Sequence, residues 1–159
     1  MLRIEHLTPG PGEDVLYREL LADLPVPVPS VEAGHWPGVA GILAAREDGA
    51  LLAWVVFFAD GRHGRDQGDE RAAVLQWITV ERERERIASG YNTEHPGTPT
   101  EIETLAALAT EAAASAKAAG YAQLRWHPAE PDLAEGIASL LGARTVVDAE
   151  GFRSYALTL

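Results

Sequence analysis

The sequence predicts an α/β protein of one domain, with seven short strands and about three helices along 159 residues. Three observations predict it. The pair Asp48-Gly49 stands between two apolar runs, as in a tight hairpin. An alanine-rich stretch from Glu101 to Ala119 opens on threonines and glutamates at capping spacing and stops at Gly120. Elsewhere, short alternating or β-branched runs are separated by turns rich in glycine and proline, with no internal repeat.

Leu2 to Leu7 alternates as a half-buried strand does, and Pro9-Gly10-Pro11-Gly12 breaks the pattern. From Glu13 to Leu24 the residues Leu16, Leu20, Leu21 and Leu24 share one helical face, with acidic residues at the N-terminal end where the dipole favours them. Pro25, Pro27, Pro29 and Pro37 make the next stretch a loop, because proline removes a donor and restricts the residue before it. Val39 to Arg46 and Ala50 to Ala59 form the hairpin around Asp48-Gly49, and Ala72 to Val80 reads as a central strand.

Glu81 to Pro99 reads as a long irregular connection, and a loop of that length in a compact domain is functional or mobile. Thr98 with Glu101, or Thr100 with Glu103, opens the helix to Ala119, whose apolar stripe is Ile102, Leu105 and Leu108. A strand from Ala122 to Trp126 follows. The capping pair Asp132 and Glu135 then opens a helix that buries Leu133, Ile137, Leu140 and Leu141 before Gly142. Two strands, Arg144 to Asp148 and Phe152 to Leu159, complete the order.

Composition narrows the chemistry. The chain has no cysteine, which excludes disulfides, thiolate metal sites and a cysteine nucleophile. Its five histidines show no paired ligand spacing, and it carries neither a Gly-x-Ser-x-Gly elbow nor a Walker-type loop, so no metal is expected. A formal net charge of −11 repels phosphate backbones, so no nucleic-acid partner is expected; the one basic patch, Arg82, Arg84 and Arg86, alternates with glutamates. With no tripartite secretory signal at Met1 to His6 and no apolar run of membrane-spanning length, the expected location is cytoplasmic, without a membrane partner.

The order strand, helix, loop, three strands, helix, strand, helix, two strands resembles the GNAT superfamily of acyl-CoA-dependent N-acyltransferases over nearly the whole chain. Ala134, Leu141-Gly142-Ala143 and the closing Tyr155-Ala156-Leu157-Thr158-Leu159 match the outline of that family's C-terminal third. The resemblance implies a mixed, mostly antiparallel seven-stranded sheet, with acetyl-CoA or another acyl-CoA as donor and a small amine as acceptor. It also implies edge strands that pair between subunits, hence a possible homodimer. Where the family carries Gln/Arg-x-x-Gly-x-Gly/Ala after the fourth strand, to cradle the donor's pyrophosphate, this chain has Arg84-Glu85-Arg86-Ile87-Ala88-Ser89-Gly90. Where the family often places a tyrosine as proton donor, it has Ala138 and Ser139.

The resemblance implies a catalytic base near the ends of the fourth and fifth strands, which nominates Glu81 and His127. The ordinary alternatives are a solvated glutamate and a hydrogen-bonded strand-end histidine. Val80, Arg84, Arg86, Ser89 and Gly90 are the donor-binding candidates, with Thr98 and Thr100 as a second anion site at a helix start. Against this, the arginines could form a solvated face laced with Glu81, Glu83 and Glu85, and Thr98 and Thr100 already have a role as caps. His35, Trp36 and Trp77 are the acceptor-side candidates. The rival functions are a catalytically degenerate binding domain on the same fold and an acyltransferase with a donor other than CoA.

Overall fold

The computed structural model describes residues 1–24, 38–59, 71–89 and 96–159. The elements in chain order are β1 (Leu2–Leu7), α1 (Pro11–Leu21), β2 (Val39–Glu47), β3 (Ala50–Ala59), β4 (Ala72–Thr79), α2 (Val80–Ser89), α3 (Pro99–Ala118), β5 (Gln123–Trp126), α4 (Pro131–Leu141), β6 (Arg144–Val147) and β7 (Arg153–Thr158). All seven strands form one sheet in the order β1-β2-β3-β4-β5-β7-β6. β4 and β5 run parallel and the other neighbouring pairs antiparallel, so the sheet is the mixed, mostly antiparallel one expected.

The hairpin turns where the sequence places it. Asp48 and Gly49 both have positive φ, 50° and 82°, as a type I′ turn requires, and Glu47 pairs with Ala50 across it. β3 is buried on both faces: Ala53, Val55 and Phe57 enter one core, Trp54 and Val56 the other. The first core is roofed by α3 and α4 through Leu105, Leu108, Leu133 and Ile137, where the fully buried Ala109, Ala112 and Ala116 let α3 lie close to the sheet. The second core is roofed by α1 through Leu16 and Leu20.

Two boundaries depart from the sequence expectation for local reasons. α1 begins at Pro11 and ends at Leu21, because a proline at the first helical position fits the helix and loses no bonded N–H there. The pair that caps α3 is Thr98 with Glu101: the Thr98 hydroxyl accepts from the Glu101 N–H at 3.1 Å and the Glu101 carboxylate accepts from the Thr98 N–H at 3.1 Å. α4 opens differently from the expected Asp132 pair. Its N-cap is Glu130, whose side chain makes no capping bond.

The larger correction is α2. Val80–Ser89 is helical, which brings the helices among the described residues to four and shortens the supposed irregular connection. Glutamate and arginine are good helix formers, but their alternation leaves no apolar stripe, and Arg82 is the buried residue of the helix. Among the described residues no helix is long and apolar enough to cross a membrane.

α1 is pinned to the sheet by charge as well as by leucines. Arg46 on β2 donates two bonds to the Glu19 carboxylate, at 2.6 and 2.8 Å, and a third to Glu5 on β1 at 2.7 Å. The Arg46 bonds hold the Glu19 carboxyl below its ordinary value, against the smaller upward push of burial. A carboxylate with a lowered folded pKa contributes fully above its unfolded value, and that contribution is lost as pH falls through the folded one. Arg46→Ala is therefore expected to lower stability by about 1–2 kcal/mol near neutral pH, given that Glu19 is partly exposed. In urea unfolding, the gap between variant and native protein should narrow below about pH 4.

Candidate active site

The parallel ladder between β4 and β5 is short. It holds the pairs Ala72 with Gln123, Ala73 with Leu124 and Val74 with Arg125. β4 then runs on to Thr79 against β3, while β5 stays with β7 as far as Trp126 paired with Tyr155. His127-Pro128 follows, and proline offers no N–H to continue a ladder. The two strands thus part beyond Val74 and leave a slot of about 200 Å³, lined by Leu75, Gln76, Trp77, His127, Ala129 and Glu130. That is smaller than the roughly 300–1,000 Å³ typical of sites that hold a whole ligand, so the slot suits one arm of a longer molecule.

Trp77 and His127, nominated separately by the sequence, meet in this slot. Trp77 donates its indole N–H to Glu130 Oε1 at 3.0 Å. The other oxygen of Glu130 accepts from Arg86 Nη2 at 2.6 Å and lies 3.5 Å from Arg82 Nε. Arg82 is 7 % exposed and donates to Glu101 at 3.0 and 3.1 Å and to the Pro96 carbonyl at 3.3 Å. Burial pushes the Glu101 carboxyl up, but the bonds from Arg82 and Thr98 outweigh it and the net shift is downward. Burial likewise opposes the charge of Arg82, and its bonds to Glu101 with the nearby Glu130 charge outweigh that.

A second cavity, about 400 Å³, lies where β4 passes into α2, beside the start of α3. It gathers Val80, Glu81, Arg84, Thr98 and Thr100, with Leu51 and Ala53 of β3 as apolar wall. Thr79 lines it too, and its buried hydroxyl has no hydrogen-bond partner among the described residues. Glu81 lies in the first turn of α2, exposed, and not at a strand end. The two nominated catalytic residues are therefore in different cavities, Glu81 here and His127 in the slot.

The arginines have structural partners that differ from the expected lacing with neighbouring glutamates. Arg84 donates from Nη1 to the carbonyls of Leu20 and Ala22, both at 2.7 Å, and so closes the C-terminal end of α1. Arg86 does approach Glu83, at 3.5 Å, but its shorter bond is to Glu130. Ser89 is exposed and its hydroxyl donates to the Glu85 carbonyl at 2.8 Å, finishing the last turn of α2. Ala138 is buried in the core and Ser139 exposed on α4. His35, Trp36 and Gly90 lie outside the described residues.

Sequence reasoning missed Glu130 and the roles of Arg82 and Glu101. Glu101 carried a signal as the third residue of a capping box; Glu130 carried none, since its partners lie 44 and 53 residues away.

No protein-family model matches the chain, and no curated protein matches it in sequence. Solved structures do match in shape. The GNAT domain of PAT from S. lividans superposes with a TM-score of 0.58 at 18% identity, over 99% of this chain and 90% of that one. The aminoglycoside acetyltransferase AAC(6')-Ib in complex with coenzyme A gives 0.58 at 12%, over 99% and 95%. The ribosomal-protein-S18-alanine N-acetyltransferase of Escherichia coli gives 0.53 at 13%, over 99% and 94%. The chain has the GNAT fold: among the described residues, a seven-stranded, mostly antiparallel mixed sheet with four helices.

Removing one partner of a buried ion pair strands the other charge. Arg82→Ala is expected to cost about 3–5 kcal/mol in denaturant unfolding. Arg84→Ala, whose partners are carbonyls at a helix end, should cost about 1.5–3 kcal/mol.

Proposed function

We propose that this protein is an N-acyltransferase that accepts an acyl thioester of coenzyme A between β4 and β5 and passes the acyl group to a small amine. The observation that carries the reading is the parting of that parallel pair after three residue pairs, with a cavity lined from both sides of the fork. Backbone groups of β4 beyond Val74 lie outside the β4–β5 ladder, where they suit an extended, amide-containing arm. The likeness to a ribosomal-protein-S18-alanine N-acetyltransferase and to an aminoglycoside acetyltransferase with coenzyme A supports the same reaction class.

In this reading the amine nitrogen attacks the thioester carbonyl carbon, the C–S bond breaks and the thiolate leaves. His127 lines the slot, and an imidazole ring can accept a proton on one nitrogen or donate one from it, so it takes the proton from the attacking amine or returns one to the thiolate. N–H groups of β4 face the developing oxyanion. The larger cavity, with Arg84, Thr98 and Thr100, takes the nucleoside end of the donor, and the pyrophosphate lies nearer the slot. The acidic surface, −11 overall, favours a cationic acceptor.

A second reading, a binding domain that has lost transfer activity, is favoured by one observation. α2 stands where this fold's glycine-rich turn was expected, and both Arg84 and Arg86 already have partners within the chain.

Calorimetric titration separates the two. Acetyl-CoA and free CoA are expected to bind with micromolar Kd, about −8 kcal/mol. Ala129→Trp, which fills the slot, should weaken binding at least tenfold in a folded protein. His127→Ala should lower kcat by about 10²–10⁴ while leaving donor affinity in place. Folded protein that binds neither ligand at millimolar concentration carries the binding-domain reading instead.

A further inference from the structure

Glu130 is placed oddly for an N-cap residue. Its side chain makes no bond to the start of α4 and instead lines the slot, where it bonds to Trp77. There three donors from two other elements converge on its carboxylate: the Trp77 indole of β4 and the Arg86 and Arg82 guanidiniums of α2. An indole N–H and two guanidiniums have donors and no acceptor, and a guanidinium matches the geometry of a carboxylate or phosphate equally well. Among the described residues, the glutamates paired with Arg82 and Arg86 are Glu83, Glu101 and Glu130. Glu101 has its own bidentate bond to Arg82 and its place in the α3 cap, while Glu83 stands 3.5 Å from Arg86. Of the three, Glu130 is the one bonded both from β4, which lines the slot, and from α2.

We infer that Trp77 and Arg86, backed by Arg82, form an oxyanion-binding cradle at the mouth of the slot, and that Glu130 is its tethered occupant. A ligand entering the slot with a phosphate or carboxylate at the right distance takes over these donors, and Glu130 swings out. Because the competitor is attached to the chain, it acts at high effective concentration and lowers the affinity of every such ligand. Residue 130 thereby sets which ligands are admitted: those with an oxyanion able to replace it. The cradle follows from the geometry alone; that the oxyanion is a phosphate of a CoA-type donor rests on the reading given above.

The test uses the full chain as native protein, Glu130→Ala and Glu130→Gln, with calorimetric titration of three probes: inorganic pyrophosphate, CoA and pantetheine. Glu130→Ala vacates the cradle and should bind pyrophosphate at least tenfold more tightly than native protein. Glu130→Gln, which keeps one acceptor without the charge, should fall between them and serves alone if the alanine variant does not fold. Adding Arg86→Ala should remove the gain. Glu83→Gln, which deletes a charge beside the same arginine but outside the cradle, should leave pyrophosphate affinity within about twofold of native.

Unchanged or weaker pyrophosphate binding in both Glu130 variants, or an equal gain in Glu83→Gln, would overturn the cradle. CoA gaining in step with pyrophosphate while pantetheine stays constant identifies the donor's phosphates as the oxyanion. Pyrophosphate gaining while CoA and pantetheine bind to nothing leaves the cradle standing and removes the acyl-CoA reading.

Discussion

The early end of the ladder between β4 and β5 is the constraint on which the rest of the architecture turns. Each strand is held on its far side, β4 by β3 to Thr79 and β5 by β7 to Trp126, so the fork opens without unzipping the sheet. The backbone groups it leaves out of the ladder need partners of some kind. Around them stand Trp77 and His127, both nominated by the sequence, and Glu130, which was not.

Charges fill the neighbourhood of the fork because apolar packing does not. Arg82 and Arg86 on one helix meet Glu101 and Glu130 from two others, two cations against two anions, and the most buried member, Arg82, is also the one bonded to both carboxylate and carbonyl. Ionised groups survive burial when each is matched and bonded, and this set meets that condition. A helix with no apolar stripe is thereby fixed in place: α2 is held by its arginines reaching three different parts of the chain.

Much of the sheet was legible because strands announce themselves locally. The Asp48-Gly49 turn, the two-sided burial of β3 and the Thr98 cap of α3 all follow from spacing within a few residues. α2 was not, since Glu-Arg alternation looks the same in a solvated loop and in a helix stabilised by distant partners. The nominated residues gather in two places: Trp77 and His127 line the slot, and Val80, Glu81, Arg84, Thr98 and Thr100 line the larger cavity. What could not be read was pairing. Nothing near Glu130 in sequence marks it as the acceptor for an indole and a guanidinium, because that property belongs to the folded chain.

The bond from Arg84 to the end of α1 also bears on the order of assembly. Eleven residues make a marginal helix on their own, and here its final carbonyls wait for a side chain 62 and 64 positions further along. Until β2, β3 and β4 have formed and α2 has grown from the last of them, the last turn of α1 stays open to water. α1, made before α2, is thus completed only after it, and its fraying becomes a gauge of whether α2 has docked.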